Sequence, residues 1–285
     1  GTLGIIIPPS VILAIYSIVA EQSLPKLFAA ALIPGLILAL LYVITVWLVA
    51  RLRPRLMPDT APMPLARRLR AARGMWKLAL LFFLAVVGIY VGWYSPTEAA
   101  AVSAFAAIVI AFASGHMRWR GLLDAFMETA YATAMLFFIV IGAFIFARFI
   151  VLTQFPTALA AWVQDWGLAP TMVIVAVMAL YFVLGTFLEE VSTILISVPV
   201  TLPLVLAVGY DGVWFGIFVT VMATIGLISP PTGMTVFVIQ AQNADIPAAR
   251  IYRGTLAFLA ADFVLVGLLI AWPELTSWLP AALKM

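Results

Sequence analysis

Blocks of apolar residues organise this chain. Residues 27–50, 78–97 and 191–210 are each free of charge over about the 20 positions that a helix needs to cross a bilayer. None shows the alternation of a barrel strand. Hydrocarbon offers no partner to a backbone N–H or C=O, so a spanning chain is either helical or a closed barrel, and these blocks predict helices. Further apolar stretches are 76–93 and, after the turn Tyr94-Ser95-Pro96, 99–113, then 129–147, 172–188 and 255–272. The run 212–244 holds 33 residues without a charge, yet Pro230-Pro231 interrupts it. A proline pair cannot continue a helix, so that run breaks at depth. The expected fold class is an all-α integral membrane protein, a polytopic helix bundle with discontinuous or re-entrant helices.

Composition agrees. Hydrophobic residues make up 66% of the 285 positions and charged residues 9%, more apolar surface than a soluble domain can hide. The formal charge of +3 is small, but its placement orients the chain. Eight of the fifteen Lys/Arg are Arg51, Arg53, Arg55, Arg67, Arg68, Arg70, Arg73 and Lys77, in a stretch that also holds Pro54, Pro58, Pro62 and Pro64. The positive-inside rule reads 51–76 as a cytoplasmic loop. Nucleic-acid or lipid-headgroup binding is the sharper alternative, although topology alone accounts for the cluster. Arg118 and Arg120, beside His116 at a membrane edge, return to the same side, whereas 153–171 carries Asp165 and neither Lys nor Arg. There is no cysteine, which excludes disulfides and thiolate metal sites. The chain opens on Gly1-Thr2 within an apolar stretch and is read as amino-terminally truncated, with 1–50 as the end of a first repeat and 77–285 as the second half.

An internal echo supports that division. Gly1-Thr2-Leu3-Gly4-Ile5-Ile6-Ile7-Pro8-Pro9-Ser10 recurs as Ala223-Thr224-Ile225-Gly226-Leu227-Ile228-Ser229-Pro230-Pro231-Thr232-Gly233. Both copies read Thr-x-Gly-x-x-x-Pro-Pro-[Ser/Thr], the mark of an ancient duplication. Gly and Pro-Pro unwind a helix in mid-membrane, freeing carbonyls on one half-helix and N–H groups on the other. Carbonyls and hydroxyls suit Na⁺, and half-helix amino termini suit a carboxylate. The candidate sodium ligands are Gly4, Pro8 and Ser10 in the first copy and Gly226, Ser229, Pro230, Thr232 and Gly233 in the second. The candidate solute-binding residues are Thr2, Ser10, Thr224, Ser229 and Thr232. The plainer alternative is a pair of proline kinks used only for packing.

These residues resemble the large membrane (M) subunit of tripartite ATP-independent periplasmic, or TRAP, transporters, in which both Pro-Pro stretches recur. Tyr94-Ser95-Pro96-Thr97-Glu98-Ala99-Ala100-Ala101 is similar to the family's Thr-Pro-Thr-Glu-Ala-Ala segment. Leu24-Pro25-Lys26-Leu27-Phe28, Ile33-Pro34-Gly35, Pro199 to Pro203 and Trp278-Leu279-Pro280 fit it as well. The likeness covers essentially the whole chain and the carboxyl-terminal two-thirds or so of a complete subunit. It implies inverted repeats of the ion-transporter-superfamily, elevator type, and Na⁺-coupled import of an organic acid across a bacterial inner membrane. It also implies two partners, a small membrane subunit (Q) and a periplasmic solute-binding protein (P). Where the family carries a single Asp four residues after a glycine, this chain has Gly185-Thr186-Phe187-Leu188-Glu189-Glu190. Glu189 falls on the acidic position, which adds it to the candidate cation ligands.

Glu189 or Glu190 within the membrane would bind a cation or carry a proton; the alternative is a solvated helix end. Asp262 lies in a span and is a candidate partner for a cation such as Arg148. No enzyme motif is present. The only lysines are Lys26, Lys77 and Lys284, so there is no Gly-x-x-x-x-Gly-Lys-[Ser/Thr] loop, and one histidine excludes His-Glu-x-x-His chemistry. The competing readings are a carboxylate–sodium symporter that needs no binding protein and a non-transporting membrane assembly protein. No cofactor is expected beyond Na⁺ as the coupling ion.

Overall fold

The computed structural model describes residues 2–54, 64–115, 117–231, 233–243 and 245–285. All of the regular structure among them is helical: α1 (Leu3–Ile6), α2 (Val11–Val19), α3 (Leu24–Leu52), α4 (Leu65–Gly74), α5 (Trp76–Phe82), a π-helical turn (Phe83–Val87), α6 (Gly88–Tyr90), α7 (Pro96–Ala113), α8 (Trp119–Leu152), α9 (Phe155–Asp165), α10 (Pro170–Phe187), α11 (Glu190–Ala207), α12 (Gly212–Ile228), α13 (Met234–Gln242), α14 (Ala248–Ala271) and α15 (Glu274–Ala282). Six of these helices, α3, α7, α8, α10, α11 and α14, are long and apolar enough to cross a membrane. The chain is therefore an all-α, polytopic membrane bundle, and its helices are broken where the proline pairs stand.

Helix ends differ from the hydropathy blocks for identifiable reasons. The block 129–147 lies inside α8, which begins ten residues earlier and carries exposed Asp124 and Glu128 in its first turns. Hydropathy marks the part of a helix suited to hydrocarbon and does not report its ends. Within 51–76, read as a loop, Leu65–Gly74 is the helix α4. Leu, Ala and Arg are strong helix formers, and propensity operates there without a hydrophobic block.

The chain divides into two compact units. The first comprises Gly1–Leu48 and Ile139–Met285. At its centre stands α12, of which every residue but Leu227 is buried, although its 17 residues make it shorter than the spans around it. Helices α1, α2, α10, α11, α13, α14 and α15 all pack on it. A helix that is apolar all round must be enclosed, and the enclosure is specific. Gly216 leaves room for the Tyr16 ring and Leu27, where a Cβ would come within 2.5 Å of Tyr16. The Tyr16 hydroxyl donates to Gly212 O at 2.6 Å, and Trp214 Nε1 donates to Leu269 O at 2.9 Å. Asp211 caps the helix, accepting from the backbone N–H groups of Val213 and Trp214 at 2.8 and 3.2 Å.

The second unit comprises Val49–Phe138. Its turn 94–98 gives the family-like segment a physical role. Ser95 and Glu98 form a reciprocal capping box with Pro96 in the first turn of α7, which satisfies amino-terminal N–H groups that hydrocarbon cannot. The Tyr94 ring lies over Gly88, where a Cβ would come within 2.2 Å of it. At the other end of this hairpin, Lys77 Nζ donates to Ser114 Oγ at 2.6 Å, joining the start of α5 to the end of α7.

Candidate functional site

Each proline pair removes two N–H donors, and with them the helical partners of the carbonyls four residues earlier. Those carbonyls are Gly4 and Ile5 in the first copy and Gly226 and Leu227 in the second. In both copies the helix stops at the residue before the pair, Ile7 or Ser229, in extended conformation, and both Pro-Pro bonds are cis. A second helix then begins, α2 after Ser10 and α13 after Gly233. The two helix–break–helix segments lie together, since α1 and α2 both pack against α12.

In the first break, Ser10 is buried and does two jobs. Its hydroxyl donates to Ile5 O, the carbonyl orphaned by Pro9, and accepts from Leu13 N at 3.3 Å as the amino-terminal cap of α2. Pro8 is buried and Gly4 exposed. In the second break, Ser229 N donates to Gly226 O at 3.2 Å, answering the carbonyl orphaned by Pro230, and the Ser229 hydroxyl donates to Ile225 O at 2.6 Å. Gly233 N closes the turn onto Ser229 O at 2.9 Å. Thr224 is fully buried and donates to Thr220 O within its own helix. Pro230 is exposed, and Thr232 lies outside the described residues, as does His116. The serine protons are thus spent on carbonyls, while hydroxyl lone pairs remain the groups that could meet a cation.

Two contributors to the second break are not marked as such by the sequence. Tyr252, on α14, donates from its hydroxyl to Pro231 O at 2.8 Å. Gly185, on α10, packs backbone to backbone on Gly226, so closely that a Cβ on Gly226 would come within 2.3 Å of Gly185 O. A glycine facing a glycine across two helices is detectable only once the helices are paired.

That contact brings the acidic pair to the same place. Helices α10 and α11 form a hairpin with Leu188 and Glu189 at its tip. The Tyr181 and Thr201 hydroxyls meet at 3.0 Å between its arms. Glu189 and Glu190 follow Gly185 by about one turn and are both half-buried. Glu189 is the amino-terminal cap of α11, one carboxylate oxygen accepting from Ser192 N at 3.2 Å. Oε2 of Glu190 is buried without a hydrogen-bond partner among the described residues.

Asp262 is fully buried on α14. Its partner is Tyr42 of α3, whose hydroxyl donates to Oδ1 at 2.7 Å, and not Arg148, which is exposed on α8. Having given its one proton to Asp262, Tyr42 accepts the longer approach of the Thr2 hydroxyl at 3.4 Å. Thr2 is thereby held by a tyrosine that no motif marks. Among the described residues no group of three or more His, Cys, Asp or Glu is arranged to hold a metal ion. The donors at the breaks are backbone carbonyls, hydroxyls and one or two carboxylates, a hard oxygen set suited to an alkali cation.

Residues 1–275 match the family model described as "Tripartite ATP-independent periplasmic transporter, DctM component". The chain is 36% identical over 287 residues to the C4-dicarboxylate TRAP transporter large permease protein DctM of Pseudomonas aeruginosa, an alignment covering 100% of this chain and 66% of that protein. It is 30% identical over 282 residues to the sialic acid TRAP transporter large permease protein SiaM of Vibrio cholerae, covering 98% and 65%. It is 29% identical over 286 residues to the isethionate TRAP transporter permease protein DctMQ of Oleidesulfovibrio alaskensis, covering 99% and 43%. The chain spans about two thirds or less of the length of these curated relatives.

Proposed function

The chain belongs to the family of the DctM component of tripartite ATP-independent periplasmic transporters, and on that premise we propose that it forms the ion-binding part of a sodium-coupled importer of organic acids. Members of this family are transport permeases and not enzymes. The observation that carries the proposal is that the first helix–break–helix segment packs on α12, the buried helix that the second Pro-Pro pair ends, with the acidic hairpin tip one turn from the Gly185–Gly226 contact. Broken helices within a bilayer are tolerated where the freed backbone groups are answered by protein or a ligand. Gly4 and Leu227 lose their helical donor to a proline, and their carbonyls are the backbone ligands we assign to Na⁺. The hydroxyls of Ser10, Ser229 and Thr232 and the Glu189 carboxylate complete the set. Pro8, Pro230 and Gly233 shape the breaks, and Thr2, Ser10, Thr224, Ser229 and Thr232 are the residues assigned to the solute on the sequence motif.

In this reading the two breaks are related by an inverted repeat, and the unit containing them moves as an elevator against a scaffold. The basic stretch 51–76 is cytoplasmic by the positive-inside rule, which places 153–171 outside the inner membrane. A periplasmic binding protein delivers the solute and a small membrane subunit completes the permease. The names of three relatives specify a C4-dicarboxylate, sialic acid and isethionate. All three are acids, and the proposed substrate class is an organic acid.

The test is uptake into proteoliposomes holding the full-length large permease and the small subunit. Uptake is expected only with an inward Na⁺ gradient and a solute-loaded binding protein outside. Uptake of free solute without the binding protein makes the protein an ordinary carboxylate–sodium symporter, and uptake indifferent to Na⁺ removes the ion sites.

A further inference from the structure

Helix α4 is unlike the other described helices. Its sequence, Leu-Ala-Arg-Arg-Leu-Arg-Ala-Ala-Arg-Gly, contains four arginines and no acid. Leu65, Leu69 and Ala72 recur at the i, i+4, i+7 spacing that lines one stripe of a helix. Arg68 and Arg73 fall on the two flanks of that stripe, and Arg67 on the face opposite. Leu65 and Leu69 are 71% and 58% exposed, so no other described element covers the stripe.

Its position is equally specific. Residues 76–90 follow directly, and α4 meets that segment at an angle of 45°. The junction lies at the end of the second unit where Lys77 reaches Ser114, and Trp119 packs edge-on against Phe112 with ring centroids 5.8 Å apart. Trp76 and Trp119 are both exposed there. Exposed tryptophans and a lysine at helix ends mark the boundary between hydrocarbon and headgroups. Helix α4 thus leaves the span at headgroup level, turned away from its axis, with an apolar stripe and flanking cations.

We propose that α4 is an interfacial helix that binds an anionic lipid surface, with Leu65, Leu69 and Ala72 toward the acyl chains and Arg68 and Arg73 on the lipid phosphates. Long arginine side chains beside an apolar stripe extend their guanidinium groups to the headgroup layer, where they take phosphate oxygens in a two-pronged geometry. Arg67, on the far face, feels the surface only through its diffuse field. The chain between Arg51 and Lys77 holds eight cations against the single acid Asp59, so the local charge matches an anionic surface. Each cation brought to such a surface contributes about a fivefold factor to docking.

The absence of native cysteine makes the test direct. Leu69→Cys and Ala71→Cys, each carrying a nitroxide, place probes on the stripe and on the opposite face of the chain in nanodiscs. Collision with oxygen reports hydrocarbon, and collision with a nickel chelate reports water. In phosphatidylglycerol discs the Leu69→Cys probe is expected to favour oxygen and the Ala71→Cys probe the chelate. In discs of phosphatidylcholine alone the preference at Leu69→Cys should collapse toward water. Arg68→Gln with Arg73→Gln should lower the docked-to-undocked ratio in phosphatidylglycerol by about thirtyfold, and Arg67→Gln should change it far less. A water-exposed Leu69→Cys probe in phosphatidylglycerol overturns the proposal. So does docking that is equally strong in both lipids, because recognition would then be apolar only. Exclusion of both reagents from Leu69→Cys also overturns it, by showing that protein covers the stripe.

Discussion

The two Pro-Pro breaks share a motif and differ in what surrounds it. Gly226 is buried with Gly185 backbone pressed against it, whereas a Cβ on its counterpart Gly4 would meet nothing within 4 Å. Pro231 O receives the hydroxyl of Tyr252 from α14, while the first break leans on its own Ser10. The acidic hairpin stands beside the second break through the Gly185 contact. One motif therefore does two physical jobs. In the first copy the glycine is an exposed residue of α1 with open space around it, and in the second it permits two helices to touch.

The largest predicted effect separates the two glycines. Gly226→Ala places a Cβ against Gly185 backbone, which no rotamer change relieves. It should destabilise the protein by on the order of 3 kcal/mol, read as a lowered melting temperature in detergent or as loss of folded yield. Gly4→Ala should stay within about 0.5 kcal/mol of the parent. Equal effects would dissolve the distinction between the breaks.

The next effect concerns the acid at the tip of the hairpin beside the second break. Glu189→Gln keeps an oxygen for capping α11 but removes the charge. In the complete transporter it should raise the sodium needed for half-maximal uptake about ten- to a hundredfold, the equivalent of about 1.5–3 kcal/mol. Glu190→Gln should do less, and equal near-native uptake for both returns the pair to a solvated helix end.

Single neutral ligands come after that. Thr232→Val and Ser10→Ala should each raise the half-maximal sodium concentration by about tenfold. A shift with Thr232→Val alone would sharpen the comparison by leaving the ion at the second break only. Unchanged sodium dependence in both would make the breaks packing devices.

The smallest effect belongs to Tyr252→Phe, which leaves Pro231 O without its hydroxyl donor at about 1 kcal/mol. Thermal unfolding should register it with little change in expression.

Much of this was legible along the chain because a bilayer imposes simple rules. Long uncharged runs became helices, and the proline pairs ended α1 and α12 where they stand. The basic stretch was legible as charge but not as a helix, since α4 has too little apolar surface to register as a hydropathy block. Glu189 could be placed by its distance from Gly185, yet its use as a helix cap depends on where α11 begins.

The sequence by itself determined which segments are helical and where they must break, because backbone hydrogen bonding in hydrocarbon is local and admits few solutions. Only the tertiary structure decided that α12 is enclosed, that Gly185 meets Gly226, that Tyr42 holds Asp262, and that Tyr252 answers the second break. These are contacts between residues far apart in the chain. Apolar surface on a spanning helix serves lipid and protein equally well, so hydropathy cannot say which face finds which neighbour.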